Sequence, residues 1–138
     1  MTISYSATVG NAKLDAVETA IGTAPQLRIY NGTPPASADA ALSGNTLLAL
    51  ANLPSDWMAA ASGKVKAKAG TWTATGQAGA GAGTAGTFFR IWDNAANNSH
   101  IQGTFGATGS GADMTVDNNS IANAQSLTVN TFQLTGGN

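Results

Sequence analysis

A chain of 138 residues has room for one hydrophobic core, since single domains commonly run to roughly 100–150 residues. Charged residues make up only 9% of it, against about 25% in ordinary soluble domains, and six bases against seven acids leave a net charge of -1. That balance excludes a broad field for nucleic acid or an anionic membrane, and the absence of cysteine excludes disulfides, thiolate chemistry and cysteine-bound zinc.

With so few ions, the surface has to be built from Ala, Gly, Thr, Ser and Asn. Such a surface loses little desolvation energy when it packs against another protein, which favours an assembly component over a freely diffusing enzyme. The start, Met1 to Ser6, lacks the basic residues and apolar run of a secretory signal, and no stretch approaches the ~18 apolar residues of a membrane span. The expectation is a protein made in the cytosol, with no nucleic-acid or membrane partner and no cofactor.

The first predicted element is a short amphipathic helix. Leu14, Val17 and Ile21 recur at helical spacing between polar positions, Asn11 is the expected cap, and Gly22 followed by Pro25 stops the helix near Ile21. We assign residues 1–24 to an N-terminal arm and residues 25–138 to one β domain. Strands are expected at 26–30, 46–53, 63–69, 71–75, 87–92, 100–105, 112–116 and 126–134, where Thr, Val, Ile and aromatic residues run between turn residues. Alternation of Leu27 with Ile29, Phe89 with Ile91 and Met114 with Val116 marks sheets with one buried face. After Val129 the phase shifts to Phe132 and Leu134, which predicts a bulge or bend near Asn130 and Thr131. Eight such strands most simply make an antiparallel β-sandwich of jelly-roll type.

Between these strands, Asn31 to Gly44 reads as an extended connection with a helical turn at 37–42. Residues 77–86, with glycines at 79, 81, 83 and 86, carry no periodic apolar residue and read as a mobile loop. Gly81, Gly83 and Gly86 satisfy the spacing of a dinucleotide-binding turn, but they lead into a strand rather than a helix, so no nucleotide site is expected.

Chemistry-bearing residues are sparse. His100 is the only histidine and no Gly-x-Ser-x-Gly elbow accompanies it, so no catalytic residue is assigned. Asp93, Asp113 and Asp117, with Asn94, Asn118 and Asn119, can be read as oxygen ligands or as turn-closing residues, and their places after strands favour turns; no metal site is assigned. Lys64, Lys66 and Lys68 alternate with apolar residues, which places three positive charges on one face. They either guard a sheet edge or meet an acidic partner. Trp57, Trp72, Trp92, Phe88, Phe89, Phe105 and Phe132 read as core or interface anchors rather than a sugar-stacking platform.

Several segments taken in order carry a resemblance: Leu27-Arg-Ile-Tyr-Asn-Gly-Thr-Pro-Pro35, Leu42-Ser-Gly-Asn-Thr-Leu-Leu-Ala49, Gly83-Thr-Ala-Gly-Thr-Phe-Phe-Arg-Ile91, His100-Ile-Gln-Gly-Thr104, Gly111-Ala-Asp-Met-Thr-Val116 and Val129-Asn-Thr-Phe-Gln-Leu-Thr135. From about Ser4 onward the chain resembles small tailed-phage and prophage virion proteins, including jelly-roll decoration (cement) proteins. The resemblance implies a non-enzymatic homo-oligomer, dimer or trimer, on the capsid exterior. Its implied partner is the major capsid protein, whose neighbouring subunits it would bridge. On that reading Leu14, Val17 and Ile21 dock the arm, and Lys64, Lys66 and Lys68 make a second contact. A tail-fibre or host-receptor-binding module is the alternative, with Trp92 to Asn98 as its glycan-facing cluster.

Overall fold

The computed structural model describes residues 1–136; the last two residues of the expected 25–138 body lie outside the described residues. The chain is mainly β with one helix. Helix α1 spans Ala7–Ile21, and eleven strands follow among the described residues: β1 Gln26–Tyr30, β2 Leu47–Asn52, β3 Val65–Ala67, β4 Thr73–Gly76, β5 Thr84–Ala85, β6 Phe88–Trp92, β7 Ser99–Ala107, β8 Met114–Val116, β9 Ser120–Ile121, β10 Ser126–Thr128 and β11 Thr131–Thr135.

Nine strands form one sheet in the order β10-β4-β2-β1-β6-β7-β8-β11-β3, and β5 pairs with β9 in a small second sheet. The sheet is mixed: β7 and β8 run parallel, with Phe105 opposite Met114, while its other pairs are antiparallel. An all-antiparallel arrangement of eight strands is therefore corrected on both counts. The expected 126–134 strand divides where its phase shifts, so that β10 buries Leu127 and β11 buries Phe132 while Asn130 and Thr131 stay exposed. Only two residues separate β10 from β11, a link of at most about 11 Å, yet on a flat sheet their places would lie roughly 34 Å apart. The sheet must curl back on itself.

Inside the curl, Leu27 and Ile29 of β1 meet Phe89 and Ile91 of β6 in register. A run of aromatic contacts closes the centre: Trp57 to Trp72 at 6.0 Å, Trp72 to Phe132 at 5.3 Å, and Phe132 edge-on to Phe89 at 5.6 Å. Of the seven aromatics read as anchors, six are buried and Trp92 is half-buried.

Strand β6 is buried on both faces because the connection after β1 lies across its outer side. There the Arg90 guanidinium donates through Nη2 to the carbonyls of Ser37 and Ala40, at 3.0 and 2.8 Å, and through Nε to Gln102 Oε1 at 2.9 Å. Gln102 in turn donates to the Pro35 carbonyl at 2.7 Å. These bonds tie the connection to the strands it crosses.

The glycine-rich stretch also departs from expectation. Instead of a mobile loop, 77–86 makes a single 3-10 turn at Ala78–Ala80 and then β5, with Ala80 buried in the core. The lack of side chains here permits close approach: a Cβ on Gly79 would stand 2.9 Å from the Leu47 carbonyl oxygen, and one on Gly86 would stand 2.8 Å from the Phe105 ring. Absent side chains pack this segment as apolar ones pack the strands.

Candidate functional site

Helix α1 begins earlier than its apolar stripe suggests. Ser6 is the cap, its Oγ accepting from the Val9 amide at 3.2 Å, whereas Asn11 lies inside the helix and its Oδ1 accepts from the Lys64 amide at 2.8 Å. The stop is as expected: Gly22 adopts φ 89° and its N–H reaches the Glu18 carbonyl. Leu14 and Ile21 are buried against the body, and Val17 packs on the same core. These three residues hold the helix down, so in this structure they are not a free docking face.

The three lysines do not form a free positive stripe either. Lys66 on β3 is only 2% exposed and reaches up to the underside of α1, with Nζ 2.7 Å from Asp15 Oδ1 and 2.8 Å from Glu18 Oε2. Burial pulls the Lys66 ammonium towards its neutral form, but its hydrogen bonds to Asp15 and Glu18 outweigh that and leave its pKa raised. The bond from Lys66, helped by the Ala61 amide, holds the Asp15 carboxyl below its ordinary value. Lys64 lays its aliphatic stem against Gly10 in a left-handed backbone conformation with φ 64°. Lys68 donates to the Gly70 carbonyl at 2.9 Å and stands 6.0 Å from the Trp72 ring centroid. Strand β3 is the last of the sheet, and the segment before it bridges to its outer side at Ser62 and Val65.

What the structure leaves uncovered lies just before these residues. The large apolar side chains exposed among the described residues are Met1 at 124%, Ile3 at 74%, Tyr5 at 41% and Val9 at 43% of full exposure. Residues 1–6 belong to no helix or strand, and no charged side chain occurs before Lys13. Lys13 bridges this segment to the body, its Nζ 4.4 Å from the Tyr5 ring and 3.5 Å from the Gly136 carbonyl. The helical spacing of Leu14, Val17 and Ile21 drew attention from this stretch. A signal was nevertheless present in the alternation of Met1, Ile3 and Tyr5 with Thr2, Ser4 and Ser6.

The remaining candidates have internal partners. Asp93 closes its hairpin turn by accepting from the amides of Asn97 and Asn98 and from Asn98 Nδ2. The Asn97 amide contributes most to holding the Asp93 carboxyl below its usual range. His100 stands 3.9 Å from Asp93 Oδ2, and Trp92 lies beneath the Arg28 guanidinium at 5.2 Å. Asp113 accepts from Thr104 Oγ1 and N at 2.8 Å, and Asp117 accepts from Asn130 Nδ2 at 2.6 Å. Among the described residues, no group of three His, Cys, Asp or Glu is placed to hold a metal ion. No helix among them is long and apolar enough to cross a membrane.

In comparisons with known proteins, no family model, curated sequence or solved structure matches the chain.

Proposed function

We propose that this protein is a structural virion component, a decoration (cement) protein that binds the outside of a tailed-phage head shell and stabilises it by bridging major capsid subunits. The observation that carries the reading is the concentration of exposed apolar side chains, Met1, Ile3, Tyr5 and Val9, in one segment without charged side chains. An isolated protein gains nothing from holding Ile3 in water, whereas burial against a partner contributes roughly 1.5–3 kcal/mol for such a side chain. The ordered virion-like segments quoted above support the same reading, and the curled, mainly β body is compatible with a jelly roll elaborated by a parallel β7/β8 pair.

In this proposal the helix is the fixed base of the arm and the segment before it is the attaching part. Each copy need contribute only a few kcal/mol, because binding the assembled shell in preference to its separated subunits shifts assembly by mass action over many sites. The tail-fibre alternative has less behind it, since Asp93 is engaged by its own turn and Trp92 lies beneath Arg28. The test is co-sedimentation with mature shells that lack the protein, followed by heating decorated and bare shells together. Saturable binding with a raised disruption temperature is expected. Absence of binding to such shells would overturn the reading.

A further inference from the structure

The two ends of the nine-stranded sheet are treated differently by the fold. At the β3 end, the outward backbone groups are taken up by the preceding segment: Ser62 and Val65 exchange N–H to carbonyl bonds at 2.9 and 3.0 Å, and the Ala59 amide donates to the Ala67 carbonyl at 2.8 Å. At the β10 end nothing comparable occurs. Val129 donates to Trp72 and Gly76 donates to Gln125, so residues 125, 127 and 129 turn their backbone groups towards β4 and, by strand alternation, Ser126 and Thr128 turn theirs away. The N–H and C=O groups of Ser126 and Thr128 have no protein partner among the described residues, and both residues are exposed.

Free sheet edges are ordinarily blunted by lysine, proline, a bulge or a covering element. The 125–128 stretch is Gln-Ser-Leu-Thr, with neither charge nor proline. Beside it runs a groove lined by Val116, Asp117, Asn118 and Leu127. The same chain carries the complementary object. Residues 1–6 belong to no helix or strand, and they alternate Met1, Ile3 and Tyr5 with Thr2, Ser4 and Ser6 in the two-residue period of a strand with one apolar face.

We infer that residues 2–6 of one copy add as a strand to β10 of a second copy, with Ile3 and Tyr5 continuing the face on which Leu127 is buried. The inference rests on the reading of this segment as an assembly element and names its partner as a sister subunit. A donor strand at one place and an acceptor edge at another make a head-to-tail contact, which closes into a ring where the rotation allows. Neither strand carries a charged side chain, and the acidic residue lining the groove beside the acceptor edge is Asp117.

Two measurements on the full chain without shells test this. Sedimentation velocity should show a concentration-dependent oligomer, with self-association at least tenfold weaker in the variant combining Ile3→Asp and Tyr5→Asp. Because the chain has no cysteine, Ser4→Cys and Ser126→Cys can be made separately, mixed and oxidised, and a disulfide between the two different chains is expected. A chain that stays monomeric at millimolar concentration, an oligomer indifferent to the two aspartates, or a doubly substituted chain that closes its disulfide within itself would each overturn the proposal. Self-association without shell binding would instead sink the decoration reading and leave this one standing.

Discussion

Lys66 Nζ lies 2.7 Å from Asp15 Oδ1, joining the edge strand β3 to helix α1 across 51 residues of sequence. With Glu18 on its other side at 2.8 Å, the lysine is the charged centre of the interface that fixes the arm's base. Lys66→Ala removes both contacts and leaves two carboxylates facing each other. A fully buried pair broken in this way costs about 3–5 kcal/mol, and Asp15 is half exposed, so a loss of about 2 kcal/mol is expected in denaturant unfolding. Hydrogen exchange should quicken first in the α1 amides.

The same contact sets a pH window. Asp15 titrates below its ordinary 3.8 in the folded protein, so its contribution is complete above 3.8 and is lost as pH falls through the lower folded value. Lys66 titrates above its ordinary 10.5, so its contribution is complete below 10.5 and is lost as pH rises through the higher folded value. Thermal unfolding followed by circular dichroism should show a plateau between these limits. Asp15→Asn should lower the plateau and flatten the acid limb; an unchanged acid limb in that variant would assign the acid sensitivity to other carboxylates, Asp93 among them.

Much of the fold was legible because local signals and packing agree. Gln26–Tyr30 falls where its alternation places it, and the helix stops at Ile21 because Gly22 and Pro25 leave no other choice. What misled was a pattern with two meanings. Leu14, Val17 and Ile21 mark an apolar stripe whether it meets the chain's own body or a partner, and Lys66 on an edge strand looks solvated until a helix covers it. The parallel β7/β8 pair was hidden because register between strands is set by distant contacts, and β5 and β9 are only two residues long. In the candidate site, the alternation before Ser6 could be read from sequence, but its exposure could not.

Arg90 supplies a third test. The residue is 2% exposed, and its guanidinium holds two carbonyls of the overlying connection with one nitrogen and Gln102 with another. Arg90→Lys keeps the charge but not the planar fork, and hydrogen bonds to charged groups contribute roughly 1.5–3 kcal/mol each. A loss of about 3 kcal/mol in guanidinium unfolding is expected. Amides of residues 36–42, which the Arg90 side chain holds, should exchange faster than those of β10, which is not paired with β6.

Two glycines separate backbone packing from helix propensity. A Cβ on Gly76 would stand 1.9 Å from the Ala122 carbonyl oxygen and 3.0 Å from its carbon, and that oxygen is held in the turn by the Gln125 amide at 3.1 Å. The obstacle is backbone, so Gly76→Ala must move the β4 edge or the turn before β10, at a cost of about 3 kcal/mol. A Cβ on Gly10 would stand 2.7 Å from Lys64 Cγ, which belongs to a flexible side chain, and alanine inside a helix is favoured over glycine by about 1 kcal/mol. Gly10→Ala should therefore leave the unfolding midpoint nearly unchanged. Comparable losses in the two variants would mean that the Lys64 stem is held as firmly as backbone, making the seat of α1 as rigid as the sheet beneath it.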